Sequence, residues 1–258
     1  MSGVVHVVDE GFVRTVTLSQ PAKKNALTPA MLQALQDALP HERASEGQSV
    51  RVVVVCGDAG TFSSGFDLRS LDAAERERGV DPITPAAQAL EACPVPVIAA
   101  VDGACFGGAV ELVAACHIRV AATTTTFCVP AVRLGLVYPV SGLRRFVRCL
   151  GAWRSRRILL LGRPFSAQQA RAWGLVEDVV DDARSHAMGL AREIADNAPL
   201  AVAGTLCAIS RCEARSVLFD DDDKAAVEKE RARTLASEDI LEGVQAALEK
   251  RPPQFKGR

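Results

Sequence analysis

The sequence is poor in aromatic residues, in histidine and in long apolar runs. Aromatic residues make up 5% of its 258 residues, with a single tyrosine, and the four histidines are isolated from one another. No apolar run approaches the ~18 residues that a membrane-spanning helix requires. The first residues show no basic leader followed by an apolar stretch, so we expect no signal peptide. These absences predict a cytoplasmic protein that does not insert into a membrane.

An excess of charge of one sign is also missing. The 30 Lys and Arg residues and the 31 Asp and Glu residues leave a formal net charge of −1, which argues against nucleic acid as a partner. The arginine clusters at 144–148 and 154–157 are accordingly predicted to be solvated faces. The eight cysteines form no C-x-x-C pair, and no group of side chains has metal-ligand spacing. We expect reduced core cysteines and no metal site.

Strand and helix patterns alternate along the first part of the chain. Residues 51–56 form a continuous β-branched run ending in cysteine, which is typical of a strand covered on both faces, and 93–101 contains a second buried run. Beyond about residue 181 the pattern is almost entirely helical. The fold class is therefore predicted to be α/β, with a mainly parallel core over residues 1–195 and a helical segment over 196–258.

Local signals predict where several elements begin. Phe12, Val16 and Leu18 are expected on one face of an early strand. Thr28 followed by proline is typical of a helix N-cap with proline in the first turn. Ser166 with glutamine three residues later has the form of a capping box.

Two glycine-bearing segments, 62–68 and 101–111, are the most informative part of the chain. Each follows an apolar strand-like run and leads toward a helical pattern, so each offers a free backbone N–H at a turn. Two such donors aimed at one point would form an oxyanion hole, which stabilises an enolate or a tetrahedral anion. Glu111 lies one helical turn beyond Gly108, so its carboxylate is expected to reach the same pocket. Its apolar neighbours should raise its pKa and suit it to proton transfer.

Five short motifs in order along the chain resemble those of the crotonase (enoyl-CoA hydratase/isomerase) superfamily. They cover most of the sequence, and their order makes the resemblance specific. They are Pro21 with Asn25-Ala26-Leu27; Phe62-Ser63-Ser64-Gly65-Phe66-Asp67-Leu68; the run from Pro96 through Gly107-Gly108 to Glu111-Leu112; Gly162-Arg163-Pro164 with Gly174-Leu175-Val176; and the stretch from Ser237 to Phe255.

The resemblance implies a spiral of repeated ββα units whose helical C-terminal segment packs between subunits, in trimers or pairs of trimers. It implies an acyl-CoA thioester as ligand, with coenzyme A entering as part of the substrate and no separate cofactor. Carried over by position, the backbone N–H groups of Ser64 and Gly108 would be the oxyanion donors and Glu111 the acid–base residue. The residues expected to bind substrate or coenzyme A are Lys23, Lys24, Ala26, Ser64, Gly65, Phe66, Asp67, Gly107, Gly108, Ala131 and Tyr138.

The chain departs from the family pattern at Ala131. Hydratases of this family usually carry a second glutamate there, and the loop at 137–146 differs from the usual glycine-rich sequence as well. Syn addition of water is easiest with two carboxylates, and alanine supplies none. We therefore expect an enoyl-CoA hydratase or isomerase that relies on Glu111. Thioester hydrolysis, decarboxylation and a non-catalytic acyl-CoA carrier stay open as alternatives.

Overall fold

The computed structural model describes residues 3–42, 50–70, 81–216 and 235–254, together with the single residues 225, 229 and 232; side chains at 211 and 214–216 are outside the description. Phe255, the last residue of the final motif, falls outside these ranges. In this described part, no helix combines the length and the apolar character needed to cross a membrane.

A six-stranded sheet forms the centre of the fold, with the strand order β1-β2-β3-β4-β6-β9. β1 pairs antiparallel with β2, and every other neighbouring pair in this sheet is parallel. A smaller sheet has the order β5-β7-β8. The strands are β1 (Val4–Glu10), β2 (Val13–Ser19), β3 (Val52–Gly57), β4 (Val97–Val101), β5 (Ala104–Phe106), β6 (Ile118–Ala122), β7 (Thr126–Cys128), β8 (Phe165–Ser166) and β9 (Asp178–Val180).

Helices cover both faces of the large sheet. They are α1 (Pro29–Asp37), α2 (Ile83–Ala92), α3 (Gly108–Ala115), α4 (Val140–Leu161, interrupted at Gly151), α5 (Ala167–Trp173), α6 (Ala183–Ala195), α7 (Pro199–Ser216) and α8 (Glu238–Glu249). Two short 3-10 turns lie at Pro21–Lys23 and Ala131–Leu134.

Strand β3 shows why the sheet has two cores. Its alternate side chains enter different apolar clusters: Val53 and Val55 pack on one side, and Val52, Val54 and Cys56 on the other. A strand covered on both faces needs a continuous apolar run, as the sequence provides. The prediction of a buried strand at 51–56 is confirmed, and the α/β fold class with it.

The predicted helix starts are confirmed. The Thr28 side chain accepts a hydrogen bond from the Met31 N–H at 3.2 Å, which caps α1. Ser166 and Gln169 form the reciprocal pair of a capping box at the start of α5. Both caps satisfy backbone donors that a helix leaves unpaired at its N-terminus.

Phe12 is an exception to the predicted strand pattern. β2 begins at Val13, and Phe12 lies in the preceding turn with 41% of its surface exposed, whereas Val16 and Leu18 are buried. The Arg51 guanidinium lies over its ring, 3.7 Å from the centroid. The strand alternation does not extend into the turn, so the prediction that Phe12 shares a strand face with Val16 and Leu18 was wrong. The edge strand β1 was also not predicted.

The described residues after β9 are helical or irregular. α6 packs its small side chains Ala183, Ala187 and Ala191 on the second core, and α7 begins at Pro199, close to the boundary expected between 195 and 196. The role of this helical segment in assembly stays a prediction.

Candidate active site

The two glycine turns lie side by side. An isolated parallel bridge pairs Ser63 with Cys105, and the Phe106 N–H donates to the Ser63 carbonyl at 3.0 Å. Gly65 and Gly107 have φ of 94° and 56°, which favour glycine. A Cβ on Gly65 would lie 2.7 Å from the Phe106 carbonyl oxygen and 3.6 Å from the Gly107 Cα. Only glycine permits this close approach of the two backbones.

Most backbone N–H groups of these turns already have acceptors. Ser64 donates to the Lys24 carbonyl at 2.8 Å, Gly65 to the Ser63 hydroxyl at 3.0 Å, and Gly107 to the Cys128 carbonyl at 2.7 Å. Among the described residues, no acceptor is present for the N–H of Phe66 or of Gly108. A helix leaves its first N–H groups without intrahelical partners, and Gly108 is the first residue of α3. Together with the unpaired Phe66 amide on the adjacent turn, it marks a candidate anion site.

The prediction that the Ser64 amide is an oxyanion donor is therefore wrong, because the Lys24 carbonyl occupies it. The Phe66 amide is left available by a parallel bridge between Leu27 and Phe66. That bridge uses the Gly65 carbonyl and the Asp67 N–H, which bond to Leu27 at 2.8 Å each. The N–H of Phe66 itself consequently points away from Leu27. Gly108 is the first residue of α3, and its role as an oxyanion donor stays a prediction.

The predicted coenzyme A segment is tied directly to the first glycine turn. The Ser64 hydroxyl donates to the Lys23 carbonyl at 2.9 Å, and the Lys23 ammonium lies 2.7 Å from an Asp67 carboxylate oxygen. Asp67 also accepts from the Arg69 N–H, as a structural turn residue would, and the Lys23 bond lowers the pKa of its carboxyl. Lys24 is exposed and Ala26 is buried beside it. Binding of coenzyme A at Lys23, Lys24 and Ala26 stays a prediction.

Asn25 has a positioning role that the motif alone did not reveal. It is fully buried at φ 54°, and its side chain accepts from the Gln20 N–H and donates to the carbonyls of Asp58 and Thr61. These bonds fasten the 3-10 turn to the loop after β3. Asparagine tolerates this left-handed conformation better than most residues, so an asparagine at this position of the motif indicates such a turn.

Glu111 lies in the first turn of α3 with 1% of its surface exposed. It is hydrogen-bonded to Tyr138, and the Arg145 Nη1 lies 2.5 Å from its Oε1. Burial raises the pKa of Glu111 to about 7, since the loss of hydration outweighs the attraction of Arg145, and the charges of Asp81 and Glu91 act in the same direction as burial. A carboxyl that titrates near neutral pH can both take and give a proton.

Tyr138 and Gly142 form the wall next to this carboxyl. The Tyr138 ring packs edge-on against Phe146 at 5.4 Å between centroids, and burial raises the pKa of its phenol well above the usual value. The phenol therefore stays protonated and available to Glu111. A Cβ on Gly142 would lie 2.6 Å from Tyr138 Cδ1 and 3.0 Å from the Glu111 carboxyl carbon.

No second carboxyl stands at Ala131, which is buried at the start of the 3-10 turn Ala131–Leu134. Asp81 affects Glu111 electrostatically, but its two oxygens accept from the Ile83 N–H and from the Thr84 N–H and hydroxyl at the start of α2. The Thr84 hydroxyl is also 2.7 Å from the Ser141 hydroxyl. Glu111 is thus the candidate acid–base carboxyl within the described residues.

Arg145 does not lie on a solvated face, contrary to the prediction for its cluster. Its side chain is 3% exposed and is held between Glu91 and Glu111. Helical spacing explains why: Gly142, Phe146 and Cys149 lie on the inner face of α4, and Arg145 projects from the same face. The three- and four-residue spacing between Arg145 and the apolar residues of this face indicates burial, whereas the number of arginines in the cluster does not.

A raised carboxyl pKa in the folded state predicts how stability changes with pH. Below pH 4.5 Glu111 is protonated in both the folded and the unfolded chain; above pH 7 the folded state must bury its charge. Relative to Glu111→Gln, the wild type should lose about 3 kcal/mol of unfolding free energy between these two pH values. Urea unfolding of both proteins at several pH values measures this. Parallel stability curves would contradict the raised pKa.

Gly142→Ala is expected to displace Tyr138 or the Glu111 carboxyl, because the new methyl group overlaps both. Misplacement of reacting groups by about 1 Å can cost roughly 100-fold in rate. The matched control is Gly189→Ala on α6, where a Cβ meets nothing within 4 Å. We expect kcat to fall in Gly142→Ala and to stay at the wild-type value in Gly189→Ala. An unchanged kcat in Gly142→Ala would contradict this expectation.

The fold is α/β, and its candidate site combines two adjacent glycine turns that carry unpaired amides with one buried carboxyl, Glu111. Comparison with known proteins agrees with this class. The family model described as "Enoyl-CoA hydratase/isomerase" matches residues 9–258. The chain therefore belongs to the enoyl-CoA hydratase/isomerase family, within the crotonase superfamily, and is an enoyl-CoA hydratase/isomerase-like enzyme.

Individual relatives cover nearly the whole chain. A 2,3-dehydroadipyl-CoA hydratase of Escherichia coli (strain K12) is 33% identical over 252 residues, which are 95% of this chain and 96% of the relative. A probable enoyl-CoA hydratase of Bacillus subtilis (strain 168) is 31% identical over 265 residues, covering 100% of both. A methylmalonyl-CoA decarboxylase solved in complex with 2-nitronate-propionyl-CoA superposes with a TM-score of 0.86 at 28% identity, covering 98% of each chain.

Proposed function

We propose that this enzyme forms the enolate of an acyl-CoA thioester. The thioester oxygen would accept hydrogen bonds from the free amides of Phe66 and Gly108, and Glu111 would move the proton at the carbon next to the carbonyl. The burial of the Glu111 carboxyl in the first turn of α3, the helix that Gly108 begins, is the observation that carries the proposal, and burial also raises its pKa to about 7. Two backbone donors aimed at the developing charge are what an enolate requires.

Within this chemistry, the site favours reactions that need one proton-transfer group. Hydration of a 2-enoyl thioester needs one group to activate water and another to protonate the α-carbon. With Ala131 in place of the second glutamate, the first of these roles has no carboxylate. Moving a double bond requires only that one carboxyl remove a proton and return it to another carbon. We therefore place enoyl-CoA isomerisation ahead of hydration.

Decarboxylation of a malonyl-type thioester is the second candidate, and two observations favour it. Loss of CO₂ leaves its electron pair as the same thioester enolate, which then needs one proton donor. Glu111 near its pKa of about 7 and protonated Tyr138 provide that kind of site. The solved methylmalonyl-CoA decarboxylase is also a close structural match over almost the full length.

A panel of four acyl-CoA substrates separates these candidates: a 2-enoyl, a 3-enoyl, a methylmalonyl and a saturated acyl-CoA. Turnover of the 3-enoyl compound supports isomerisation, release of CO₂ supports decarboxylation, and free coenzyme A from the saturated thioester indicates hydrolysis. Each activity must disappear in Glu111→Gln to be assigned to this site. Tight binding of all four without turnover would make the protein a carrier and contradict the proposal.

We further propose that coenzyme A enters the site only as part of the acyl-CoA substrate and that the reaction needs no separate cofactor. The described residues contain no group of three or more His, Cys, Asp or Glu side chains arranged for a metal ion. Treatment with a chelator during the substrate panel tests this.

Assembly as a trimer or a pair of trimers is likewise proposed, in keeping with exposed apolar side chains such as Trp153, Leu200 and Leu241. Light scattering measures the mass. A cytoplasmic location stays a prediction.

A further inference from the structure

A line of alternating charges lies behind Glu111. Arg145 donates to Glu111 through Nη1 at 2.5 Å and to the two oxygens of Glu91 through Nε and Nη2, at 2.9 and 2.7 Å. Arg148 forms a second ion pair with Glu91, and its Nη1 is 4.0 Å from Glu213 on α7. α2, α3 and α4 thus each contribute a charged side chain to one cluster around a buried guanidinium.

The ion pair between Arg145 and Glu111 affects how readily Glu111 takes up a proton. An arginine paired with Glu111 alone would stabilise the ionised carboxylate and hinder uptake of a proton. A buried guanidinium also needs compensation, because its removal from water costs several kcal/mol. Glu91 meets both needs. It occupies two of the guanidinium donors in a bidentate pair and shares the positive charge that would otherwise act wholly on Glu111.

We propose that Glu91 is a positioning residue for the reaction: it clamps Arg145 from the far side and balances its charge, which leaves Glu111 free to exchange a proton. The inference rests on the proposed role of Glu111 as the acid–base residue. Glu91 touches no reacting atom in this account and acts through Arg145. Its own pKa is held below the ordinary value by Arg145 and Arg148, so it remains ionised while Glu111 titrates.

Four groups face Glu111 from the surrounding elements: Asp81 ahead of α2, Glu91 on α2, Tyr138 ahead of α4 and Arg145 on α4. Asp81 and Glu91 raise the pKa of Glu111, whereas Arg145 and the Tyr138 hydrogen bond lower it. Neutralising Glu91 should therefore lower that pKa, and neutralising Arg145 should raise it. A residue that merely supported the fold would not give shifts of opposite sign.

The test variant is Glu91→Gln, which keeps the shape and one oxygen acceptor for Arg145. The protonation of Glu111 is followed directly, by the infrared C=O stretch of its protonated carboxyl, assigned by its loss in Glu111→Gln. In wild type the midpoint should lie near the pKa of about 7, and Glu91→Gln should lower it measurably. The pH profile of kcat should shift by the same amount.

The matched control is Glu242→Gln. Glu242 also forms a bidentate pair, which it makes with Nη1 and Nη2 of Arg251, and its side chain is 25% exposed against 24% for Glu91. We expect this control to leave the Glu111 midpoint unchanged, and Glu91→Asp to restore it in part. Arg145→Met should raise the midpoint, and if that variant does not fold, Glu91→Gln alone decides.

An unchanged midpoint in Glu91→Gln would overturn the inference, as would shifts of equal sign in Glu91→Gln and Arg145→Met. The infrared titration does not depend on turnover. If Glu91→Gln shifts the midpoint while Glu111→Gln keeps full activity, the proposed function fails and the positioning inference fails with it, although the electrostatic link is real. If Glu111→Gln abolishes activity and the midpoint does not move, only the inference fails.

Discussion

Glu111→Gln is expected to reduce kcat by about 10²- to 10⁴-fold on the substrate that the panel identifies. Glutamine has nearly the same shape and keeps a hydrogen-bond acceptor for Arg145, but it cannot take up or release the proton. Binding of coenzyme A should change little, because Glu111 lies at the acyl end of the proposed site. Steady-state kinetics together with calorimetric binding of a substrate analogue measure the two effects separately.

The control for this variant is Glu177→Gln, a change to an exposed carboxylate that pairs with Arg119 on another part of the fold. It should retain wild-type kcat. A loss of less than tenfold in Glu111→Gln, with both variants equally stable, would show that another group transfers the proton.

Phe66→Pro is expected to lower kcat/KM by about 10²- to 10³-fold, the usual effect of losing one oxyanion donor. Proline has no N–H, and the Phe66 N–H makes no hydrogen bond to the described residues, so loss of this N–H breaks no hydrogen bond seen there. The substitution also removes the ring, which packs against the core. Kinetics and thermal unfolding of the same preparation separate a catalytic effect from a structural one.

Two companion variants make this result specific. Phe66→Ala removes the ring but keeps the N–H, so it should retain most of the enolate chemistry. Ser64→Pro removes the bond to the Lys24 carbonyl and should mainly reduce stability. A large catalytic loss in Phe66→Ala, equal to that in Phe66→Pro, would assign the effect to the side chain instead of the amide.

Much of the fold could be predicted from the sequence because its signals are local. The apolar run in β3, the Thr28 cap and the capping box at Ser166 each depend on neighbours in the chain, and all three are confirmed. Phe12 does not follow the alternation of β2 because it lies in the turn that joins β1 to β2, and a turn ends the two-residue period of a strand. The strand β1 itself was not predicted.

The site was predictable in its parts but not in its pairings. Spacing predicted two glycine turns and an acidic side chain in apolar surroundings. The structure places the turns at Gly65 and Gly107 side by side and buries Glu111, whereas the roles of these residues stay predictions. Which amide remains free depends on the Lys24 carbonyl, some forty residues away in sequence, so Ser64 was chosen where the structure favours Phe66. Burial of Arg145 depends on Glu91 and Glu111 from two other helices, and such a balance of charge is visible only in three dimensions.

The central claim is that two amides stabilise an acyl-CoA enolate while Glu111 carries the proton. Hydrogen–deuterium exchange at the α-carbon of a saturated acyl-CoA tests it without assuming an overall reaction. Incubated in D₂O and followed by proton NMR, wild-type enzyme should replace the α-hydrogen, and Glu111→Gln should not. Absence of exchange in wild type above pH 7, or equal exchange in both proteins, would contradict the account.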